Sequence, residues 1–237
     1  MNKKRIAIVG GGGFVGKSLC GILGQNPAFI VTPVTRAEYE RCKSLEYDVL
    51  INSAMPSKRF WAEQNPAQDF LETVQKTADL IYGWKYKKFI QISSVSARMQ
   101  LETVYGRHKA AAEKLCHSNM LVVRLTSMYG EGLSKGALMD ILNRRKVYLN
   151  AESRYSFTPL EFVGQWLSKN LDRTGIVEVG AKNSVTLREI AEAVEEKAEF
   201  EGSLDIQEIQ NPEASFPDAR EVFNFIKKKK KEMYAKS

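Results

Sequence analysis

The sequence predicts an α/β fold in which a doubly wound parallel sheet carries helices on both faces. Three observations support this prediction. Short apolar segments alternate with helical patterns through the first half of the chain. Several of these segments are apolar throughout, as strands buried on both faces are. The chain has 237 residues, 43% of them hydrophobic and 27% charged, which is an ordinary globular mixture.

The predicted elements follow one another in a regular order. The five predicted strands are Arg5–Val9, Phe29–Val34, Asp48–Asn52, Lys88–Ile92 and Leu121–Leu125. The helices predicted between them are Phe14–Leu23, Ala37–Leu45, Pro66–Trp84 and Val104–Cys116. Pro33 cannot donate a ladder hydrogen bond, so the second strand is expected near an edge or an end of the sheet. Alternation of this kind is typical of a doubly wound sheet.

The second half of the chain is less regular. The elements predicted there are helices at 135–144, at 160–171 and from about Pro217, with strands at 176–179 and 204–209. A capping box at Thr186–Glu189 predicts a further helix that runs to about Lys197. We therefore expect a dinucleotide-binding core at 1–130, to which 166–182 return, and a smaller substrate-binding lobe at 131–165 and 183–237.

The charge and the composition exclude several classes of protein. The net charge is +7, and part of the excess lies in Lys227–Lys231. Because no nucleic-acid motif accompanies this run, we interpret it as a solvated helix end rather than a nucleic-acid surface. No apolar run approaches about 20 residues and no signal peptide is visible, so we expect a cytoplasmic protein without membrane insertion. Three separated cysteines and two histidines without ligand spacing predict neither disulfides nor a metal site.

A glycine-rich turn follows the first predicted strand. Its spacing is GxxGxxG, and a helix begins directly after it. Glycines at such a turn allow a tight bend and a close approach of a pyrophosphate to the backbone, and the helix N-terminus supplies oriented N–H groups. The sequence therefore predicts a Rossmann-type NAD(P) site. The residues predicted to bind the cofactor at this turn are Gly10, Gly13, Phe14, Val15 and Gly16.

Arg36 lies just beyond the second predicted strand, where an acidic residue would bind the adenosine ribose of NAD. No acid is present there, and an arginine can pair with the 2′-phosphate of NADP. We therefore expect NADP(H) to be favoured over NAD(H). The alternative is that Arg36 is merely solvated.

Three polar residues form a candidate catalytic group. Tyr105 and Lys109 are four residues apart, so they project from one face of a helix. A nearby ammonium is expected to lower the pKa of the phenol, and Lys109 can also hold the nicotinamide ribose. Ser94, after the fourth strand, can bind the substrate oxygen, since ligands of open α/β sheets bind at strand carboxyl ends.

These motifs resemble those of the extended short-chain dehydrogenase/reductases, also called the NAD-dependent epimerase/dehydratase family. The resemblance reaches about Val194 and rests on segments that occur in family order. They are the glycine turn, Ile51–Ala54, Phe89–Ser94, Tyr105 with Lys109, Val123–Gly130, Gly175–Gly180 and Leu187–Ala191. The resemblance implies a Ser–Tyr–Lys active site and, usually, a nucleotide-activated sugar as substrate. It also implies that Asn52, Ser53 and Ala54 line the cofactor site.

The chain is a shortened member of the family that it resembles. Ten residues separate Ser94 from Tyr105, fewer than usual, and the short stretch from Arg36 to Asp48 suggests a missing strand–helix pair at the sheet edge. Thr73 stands where the family often has Asn, and Glu161 where it often has Asp.

Candidate substrate ligands besides Ser94 are arginines and a tyrosine. Arg124 lies near the end of the fifth strand and Tyr129 follows it, and each can contact substrate or serve only in packing. Arg154 is either a phosphate ligand or a solvated side chain.

The leading hypothesis is an NAD(P)-dependent reductase or epimerase of a nucleotide-activated sugar, serving polysaccharide biosynthesis. The first alternative is a cofactor-binding regulatory or interaction protein without turnover. The second is an NADPH reductase of small carbonyl compounds. The expected partner is a nucleotide-sugar or another carbonyl substrate, and a homodimer is left open.

Overall fold

The computed structural model of the chain describes residues 3–235. Within this range the chain divides into two compact units. The first contains residues 3–125 and 163–178, and the second contains residues 126–162 and 179–235. The assignment of the first unit to the cofactor and of the second to the substrate stays a prediction.

The first unit alternates strands and helices. Its strands are β1 (Lys4–Val9), β2 (Phe29–Val34), β3 (Glu46–Asn52), β4 (Lys85–Ser94) and β5 (Leu121–Leu125). Its helices are α1 (Phe14–Gly24), α2 (Tyr39–Lys43), α3 (Arg59–Gln64), α4 (Pro66–Phe70), α5 (Lys76–Gly83), α6 (Ser96–Met99) and α7 (Val104–Lys114). A 3₁₀ turn at Arg36–Glu38 precedes α2, and a π-helical turn at Leu71–Gln75 joins α4 to α5.

The central sheet confirms the predicted fold class. It has six strands in the order β2-β1-β3-β4-β5-β9, where β9 is Gly175–Val179, and β1 to β5 pair in parallel. In the usual order of a Rossmann sheet two strands lie beyond the first one, whereas only β2 lies there in this chain. The short connection from Arg36 to Asp48 is the physical reason. Because β2 is an edge strand, Pro33 costs no ladder hydrogen bond on its outer side.

The strand register brings the candidate site residues to one edge of the sheet. Val9 at the end of β1 lies opposite Val34 of β2 and Asn52 of β3. Asn52 in turn lies opposite Gln91 of β4, three residues before Ser94. The segments that leave β1, β2, β3 and β4 therefore begin at the same carboxyl edge, where ligands of such sheets bind.

Apolar burial stabilises the first unit. Ile6, Ala7 and Ile8 are fully buried although they alternate in direction, as expected of a strand covered on both faces. One side of the sheet packs Ala7, Leu50 and Phe89 against side chains of the helical layer that include Leu80 and Trp84. Each large side chain buried in this way contributes about 1.5–3 kcal/mol.

The helix predicted at Pro66–Trp84 is confirmed as an unbroken helical run from Pro66 to Gly83, with a π-helical turn in its middle that was not predicted. The π-helical turn at Leu71–Gln75 inserts one extra residue between α4 and α5, and Thr77 Oγ1 donates a 2.7 Å hydrogen bond to the carbonyl oxygen of Thr73. An apolar pattern with helical period does not reveal such an insertion, because the apolar face of the helix shifts by only one residue. π-helical turns occur frequently at functional sites.

The second unit is built from short elements. They are β6 (Met128–Tyr129), α8 (Ala137–Leu142), β7 (Arg154–Tyr155), β8 (Thr158–Pro159), β10 (Val185–Thr186), α10 (Leu187–Ala193), β11 (Ile206–Gln207) and α11 (Glu221–Tyr234). Helix α9 (Leu160–Lys169) begins in this unit and continues into the first. The strands form one sheet in the order β10-β7-β11 and a separate β6-β8 pair.

Two sequence signals of the second unit have clear outcomes. The predicted capping box is confirmed, because Thr186 accepts from the Glu189 N–H and Glu189 accepts from the Thr186 N–H. The lysine run lies in α11, where Lys230 pairs with Glu196 at 2.8 Å while Lys227, Lys228 and Lys231 are exposed. This arrangement agrees with the interpretation of a solvated helix end.

Candidate functional site

The glycine turn is shaped by close backbone contacts. Gly10 has φ +84°, and a Cβ at this position would lie 2.7 Å from the carbonyl oxygen of Ser53. A Cβ at Gly16 would overlap the carbonyl oxygen of Gly10. The Gly13 N–H closes the turn by donating to the Gly10 carbonyl at 2.9 Å. Only glycine fits at Gly10 and Gly16, because a side chain there would clash with these backbone atoms. The close contacts therefore fix the geometry of the turn.

Helix α1 begins at Phe14, directly after this turn. Gly13 occupies the N-cap and no side chain caps the helix. The first N–H groups of a helix have no intrahelical partner, so those of Phe14, Val15 and Gly16 face outward from the helix end. Together with the partial positive charge of the helix N-terminus, this arrangement fits a pyrophosphate.

The end of β3 supports the turn from the other side. Asn52 is fully buried, and its amide donates to Gln91 Oε1 at 3.1 Å and to Thr77 Oγ1 at 3.3 Å. Its own oxygen accepts from the Ala54 N–H at 3.1 Å and so holds the chain against Gly10. Asn52 therefore positions the backbone of Ser53 and Ala54 against the glycine turn.

Ser53 carries a buried hydroxyl oxygen that has no hydrogen-bond partner within residues 3–235. Buried polar atoms are rarely left unpaired, so such an atom indicates a polar partner from outside the chain. Its place beside Gly10 fits the bound dinucleotide that the glycine turn predicts.

Arg36 lies at the carboxyl end of β2 and begins the 3₁₀ turn. Its side chain is exposed, and no ion pair involves it among the residues that the structure describes. Arg41 nearby is paired instead with Glu38 at 3.0 Å. Arg36 is therefore free to contact an anion beyond the end of β2.

The structure brings Ser94, Tyr105 and Lys109 together in the first unit. Ser94 ends β4, and its hydroxyl donates to Ser96 Oγ and accepts from the Ser96 N–H, both at 3.2 Å. It also lies close enough to Tyr105 of α7 to lower the pKa of the phenol. The Lys109 ammonium lies 5.0 Å from the centre of the Tyr105 ring and donates to the Pro56 carbonyl at 2.9 Å. The spacing of Tyr105 and Lys109 on one helical turn explains their proximity.

The short connection between Ser94 and Tyr105 folds tightly onto α7. Thr103 caps α7 by accepting from the Gly106 N–H at 2.9 Å. A Cβ at Gly106 would overlap the carbonyl oxygen of Gln100, so the two segments touch through their backbones. The ten intervening residues are therefore sufficient to place Tyr105 beside Ser94.

The electrostatics of this group differ from the sequence-based expectation. Burial raises the pKa of Tyr105, which is only 7% exposed, above its ordinary value. The charge of Arg59 and the nearby Ser94 hydroxyl each lower the pKa of Tyr105, but they do not reverse the rise that burial causes. The expected net lowering of the Tyr105 pKa is wrong, because burial of the phenol outweighs the nearby positive charge. Burial also lowers the pKa of Lys109, to about 7.

Arg59 is a site residue that sequence reasoning missed. It begins α3 and donates to Gln100 Oε1 at 3.2 Å, and its positive charge lowers the pKa of Tyr105. It comes from the segment that follows Asn52, far from Tyr105 in sequence. No spacing or motif could have signalled this contact.

Arg124 is held by acidic side chains. Its guanidinium contacts Glu113 at 2.6 and 3.0 Å and Glu178 at 3.5 Å. Arg98 binds the same Glu178 at 2.7 and 2.9 Å. These contacts favour the packing role that the sequence left open, and they offer little free capacity for a substrate phosphate.

Tyr129 and Arg154 lie in the second unit. The Tyr129 ring is buried 5.0 Å from the centre of the Phe225 ring, and burial raises the pKa of its hydroxyl. Arg154 is half-exposed and pairs with Glu208 at 3.1 Å. Their roles toward a substrate stay predictions.

Within residues 3–235 no helix is both long and apolar enough to cross a membrane. No three His, Cys, Asp or Glu side chains of this range are grouped as metal ligands.

Comparison with known proteins shows similarity at the level of structure. No family model and no curated protein matches the sequence. The UDP-glucose 4-epimerase of Thermotoga maritima has a TM-score of 0.78 at 14% identity and covers 98% of this chain and 99% of its own. RMD of Pseudomonas aeruginosa, solved with NADPH, has a TM-score of 0.78 at 19% identity and covers 97% and 100%.

A third similar structure is the dTDP-4-dehydrorhamnose reductase of Bacillus anthracis in complex with NADP. Its TM-score is 0.74 at 17% identity, and the match covers 95% of this chain and 98% of that one. At these identities the likeness establishes the fold. The chain thus has the fold of the extended short-chain dehydrogenase/reductases.

Proposed function

We propose that the chain is an NAD(P)-dependent enzyme of the extended short-chain dehydrogenase/reductase type that reduces or epimerises a nucleotide-activated sugar. The observation that carries this proposal is the arrangement in the first unit of a glycine turn that fits a pyrophosphate and a Ser94–Tyr105–Lys109 group. Both lie at the carboxyl edge of one parallel sheet, where the fold binds ligands.

The glycine turn and the outward N–H groups of α1 bind the pyrophosphate. Arg36 binds the 2′-phosphate, so NADP(H) is preferred over NAD(H). Lys109 holds the nicotinamide ribose through its ammonium. A nicotinamide bound there supplies the hydride donor or acceptor.

Tyr105 moves the proton. Because burial keeps its phenol protonated, Tyr105 is suited to donate to a carbonyl oxygen in the reductive direction. In that direction the substrate carbon gains a hydride, the C=O π pair moves to oxygen, and the Tyr105 proton completes the alcohol. Ser94 donates a hydrogen bond to the same oxygen, and the phenolate then regains a proton from solvent.

The substrate class rests on the fold neighbours and on the family resemblance. The Thermotoga maritima epimerase was solved with UDP-glucose, and two further neighbours were solved with NADP or NADPH. By analogy with these neighbours, we infer that the substrate of this chain is a nucleotide-sugar. In this proposal the second unit is the substrate-binding lobe, and Arg154 binds a phosphate of the substrate. The proposed setting is cytoplasmic polysaccharide biosynthesis.

The test is a screen of nucleotide-sugars and their 4-keto derivatives with NADPH and with NADH. Absorbance at the reduced nicotinamide band reports net redox, and product stereochemistry reports epimerisation. The Tyr105→Phe protein is the matched control. Turnover by the unmodified protein that Tyr105→Phe abolishes supports the proposal, and dinucleotide-independent turnover contradicts it.

A second candidate function is a cofactor-binding regulator without turnover. It is favoured by the burial of Tyr105 and Lys109 and by the tight closure of the Gln100 segment over α7. Both candidates predict dinucleotide binding. The same screen separates them, since a regulator binds the dinucleotide but converts no substrate.

A further inference from the structure

Four charged side chains of alternating sign form a continuous row of ion pairs in the first unit. Arg98 of α6 binds Glu178 of β9 through two contacts of 2.7 and 2.9 Å. Arg124 of β5 contacts the same Glu178 at 3.5 Å and binds Glu113 of α7 at 2.6 Å. The side chains of Glu178 and Glu113 are only 8% and 4% exposed, so these ion pairs are largely shielded from water.

Stability alone is a poor explanation for this row of charges. The desolvation of two buried charges offsets much of their mutual attraction, and apolar side chains of similar volume often stabilise a fold as well or better. A bidentate arginine–carboxylate pair does, however, fix the geometry of the two elements that carry it. The elements joined by the row therefore indicate its role.

The outer pair of the row, Arg98–Glu178, holds a helix of a single turn. α6 spans only Ser96–Met99, and an isolated helix of this length is unstable, so contacts with the rest of the unit must hold it in place. Arg98 supplies the bidentate contact, and the Val95 N–H donates to the Leu125 carbonyl at 3.1 Å. The pair therefore fixes the orientation of α6 relative to β9.

The orientation of α6 determines the direction of the Ser94 hydroxyl. The Ser96 N–H, at the start of α6, donates to Ser94 Oγ at 3.2 Å, and Ser94 Oγ also lies 3.2 Å from Ser96 Oγ. A shift or rotation of α6 would move Ser96 and would turn the Ser94 hydroxyl away from its present direction. A path of direct contacts thus leads from Glu178 through Arg98 and Ser96 to Ser94.

The inner pair of the row, Arg124–Glu113, ties the end of β4 to α7. Ser93 lies opposite Arg124 in the register of β4 and β5, and its hydroxyl donates to Glu113 at 2.6 Å. Glu113 follows Lys109 by one helical turn, and Lys109 follows Tyr105 by one turn, so the three share a face of α7. The row therefore connects the strand end to the helix face that carries the proposed proton donor.

We propose that the Arg98–Glu178 pair positions the Ser94 hydroxyl for the substrate oxygen by fixing the orientation of α6. Arg98 and Glu178 are positioning residues that act through Ser96 and Ser94. Their effect on turnover rests on the proposed function, whereas their hold on α6 does not.

Residue-resolved hydrogen exchange of the full chain without cofactor tests the hold on α6. In Arg98→Met the Ser96 N–H should exchange faster by about tenfold or more, because the turn opens locally once its charge-assisted hydrogen bonds are lost. Lys87→Met is the matched control, since Lys87 pairs with Asp48 at 2.8 Å near the opposite end of β4. It should leave the exchange of Ser96 unchanged. Equal Ser96 protection in Arg98→Met and the unmodified protein overturns the proposal.

Steady-state kinetics with the nucleotide-sugar substrate measure the effect on turnover. Arg98→Met should lower kcat by up to about 10²-fold, the loss that a displacement of about 1 Å can cause, with KM and NADPH affinity nearly unchanged. Arg98→Lys keeps the charge without the bidentate geometry, so it should restore part of the rate. Lys87→Met should retain the full kcat.

A double substitution separates positioning of Ser94 from a general loss of packing. Because Arg98 acts through Ser94 in this proposal, Arg98→Met should cause no further loss of kcat in a Ser94→Ala protein. An equal fall of kcat in both backgrounds overturns the positioning role, and so does an unchanged kcat in a folded Arg98→Met protein.

Glu178→Gln keeps the test valid if Arg98→Met does not fold. It preserves the shape of the side chain but removes the charge that Arg98 and Arg124 share. Ser96 exchange and kcat should change in the same direction as in Arg98→Met, and no change of either in the folded protein overturns the proposal. If no protein converts a nucleotide-sugar, the proposed function and the effect on turnover fail together, whereas faster Ser96 exchange would still establish the hold on α6.

Discussion

The glycine turn and the Tyr105 environment lie at the same edge of one sheet but are built by different means. The turn is made of backbone atoms at fixed distances, so Gly10 and Gly16 admit no other residue. The Tyr105 environment is made of side chains from α3, α4, β4 and α7, whose charges oppose one another. A site built from backbone atoms can be predicted from residue types in the sequence. The behaviour of a site built from side chains depends on how deeply those side chains are buried, which the sequence does not give.

The largest effect is expected from substitutions that change the Tyr105 environment and leave the glycine turn intact. Tyr105→Phe removes only a hydroxyl, so kcat should fall by about 10²–10⁴-fold with little change in dinucleotide affinity. Lys109→Ala should lower both kcat and dinucleotide affinity, because Lys109 is assigned a role in catalysis and a role in cofactor binding. Steady-state kinetics and NADPH titrations measure the two effects.

Tyr82→Phe is the matched control for that experiment, since Tyr82 is an exposed tyrosine of the same unit. Normal turnover by the Tyr105→Phe protein would show that Tyr105 is not the proton donor.

Gly16→Ala tests the turn instead. Its Cβ would overlap the Gly10 carbonyl oxygen, so the turn must deform, at a cost of about 1–3 kcal/mol in stability and with loss of dinucleotide affinity. Gly21→Ala on the same helix is the control, because nothing lies within 4 Å of its Cβ. It should be neutral or stabilising by up to about 1 kcal/mol. Thermal unfolding and NADPH titration compare the two, and equal behaviour would contradict the steric account of the turn.

Arg36→Ala sharpens the prediction of cofactor preference. If Arg36 binds the 2′-phosphate, NADPH affinity should fall by the equivalent of about 1.5–3 kcal/mol while NADH affinity changes little. Arg41→Ala removes the neighbouring arginine that is paired with Glu38, and it should spare both cofactors. Tighter NADH than NADPH binding by the unmodified protein would rule out the assignment.

The contrast between the two regions also explains what the sequence could predict. The parallel sheet, the edge position of β2 and the proximity of Tyr105 and Lys109 follow from alternation, from Pro33 and from helical spacing. The π-helical turn, the Arg59 contact and the 2.7 Å contact between Asp69 Oδ2 and His108 Nδ1 do not. Each depends on which residues of separate helices meet, and neither periodicity nor local spacing encodes that.

The same reason accounts for the wrong sign of the Tyr105 pKa. The sequence shows an ammonium one helical turn away, and that alone predicts a lowered pKa. The structure adds the burial of both groups, and burial dominates because it disfavours the charged form of each. Pairwise proximity was therefore predictable, whereas the balance between charge and desolvation was not.

The smallest expected effect distinguishes the charges around Tyr105 from one another. Arg59 lowers the pKa of Tyr105, so Arg59→Gln should raise it further, and the reductive rate should persist to higher pH before it falls. Asp69 raises the same pKa, so Asp69→Asn should move that alkaline limb to lower pH. Arg59→Lys keeps the charge and should restore the original profile.

Arg107→Gln is the control, since Arg107 binds the carbonyl oxygens of Leu101 and Glu102 on the outside of α7. The measurement is the pH dependence of kcat, with the tyrosinate absorbance difference between each variant and its Tyr105→Phe partner as a readout that needs no substrate. Shifts of the same sign for Arg59→Gln and Asp69→Asn would mean that overall packing, and not opposing charge, sets the protonation of Tyr105.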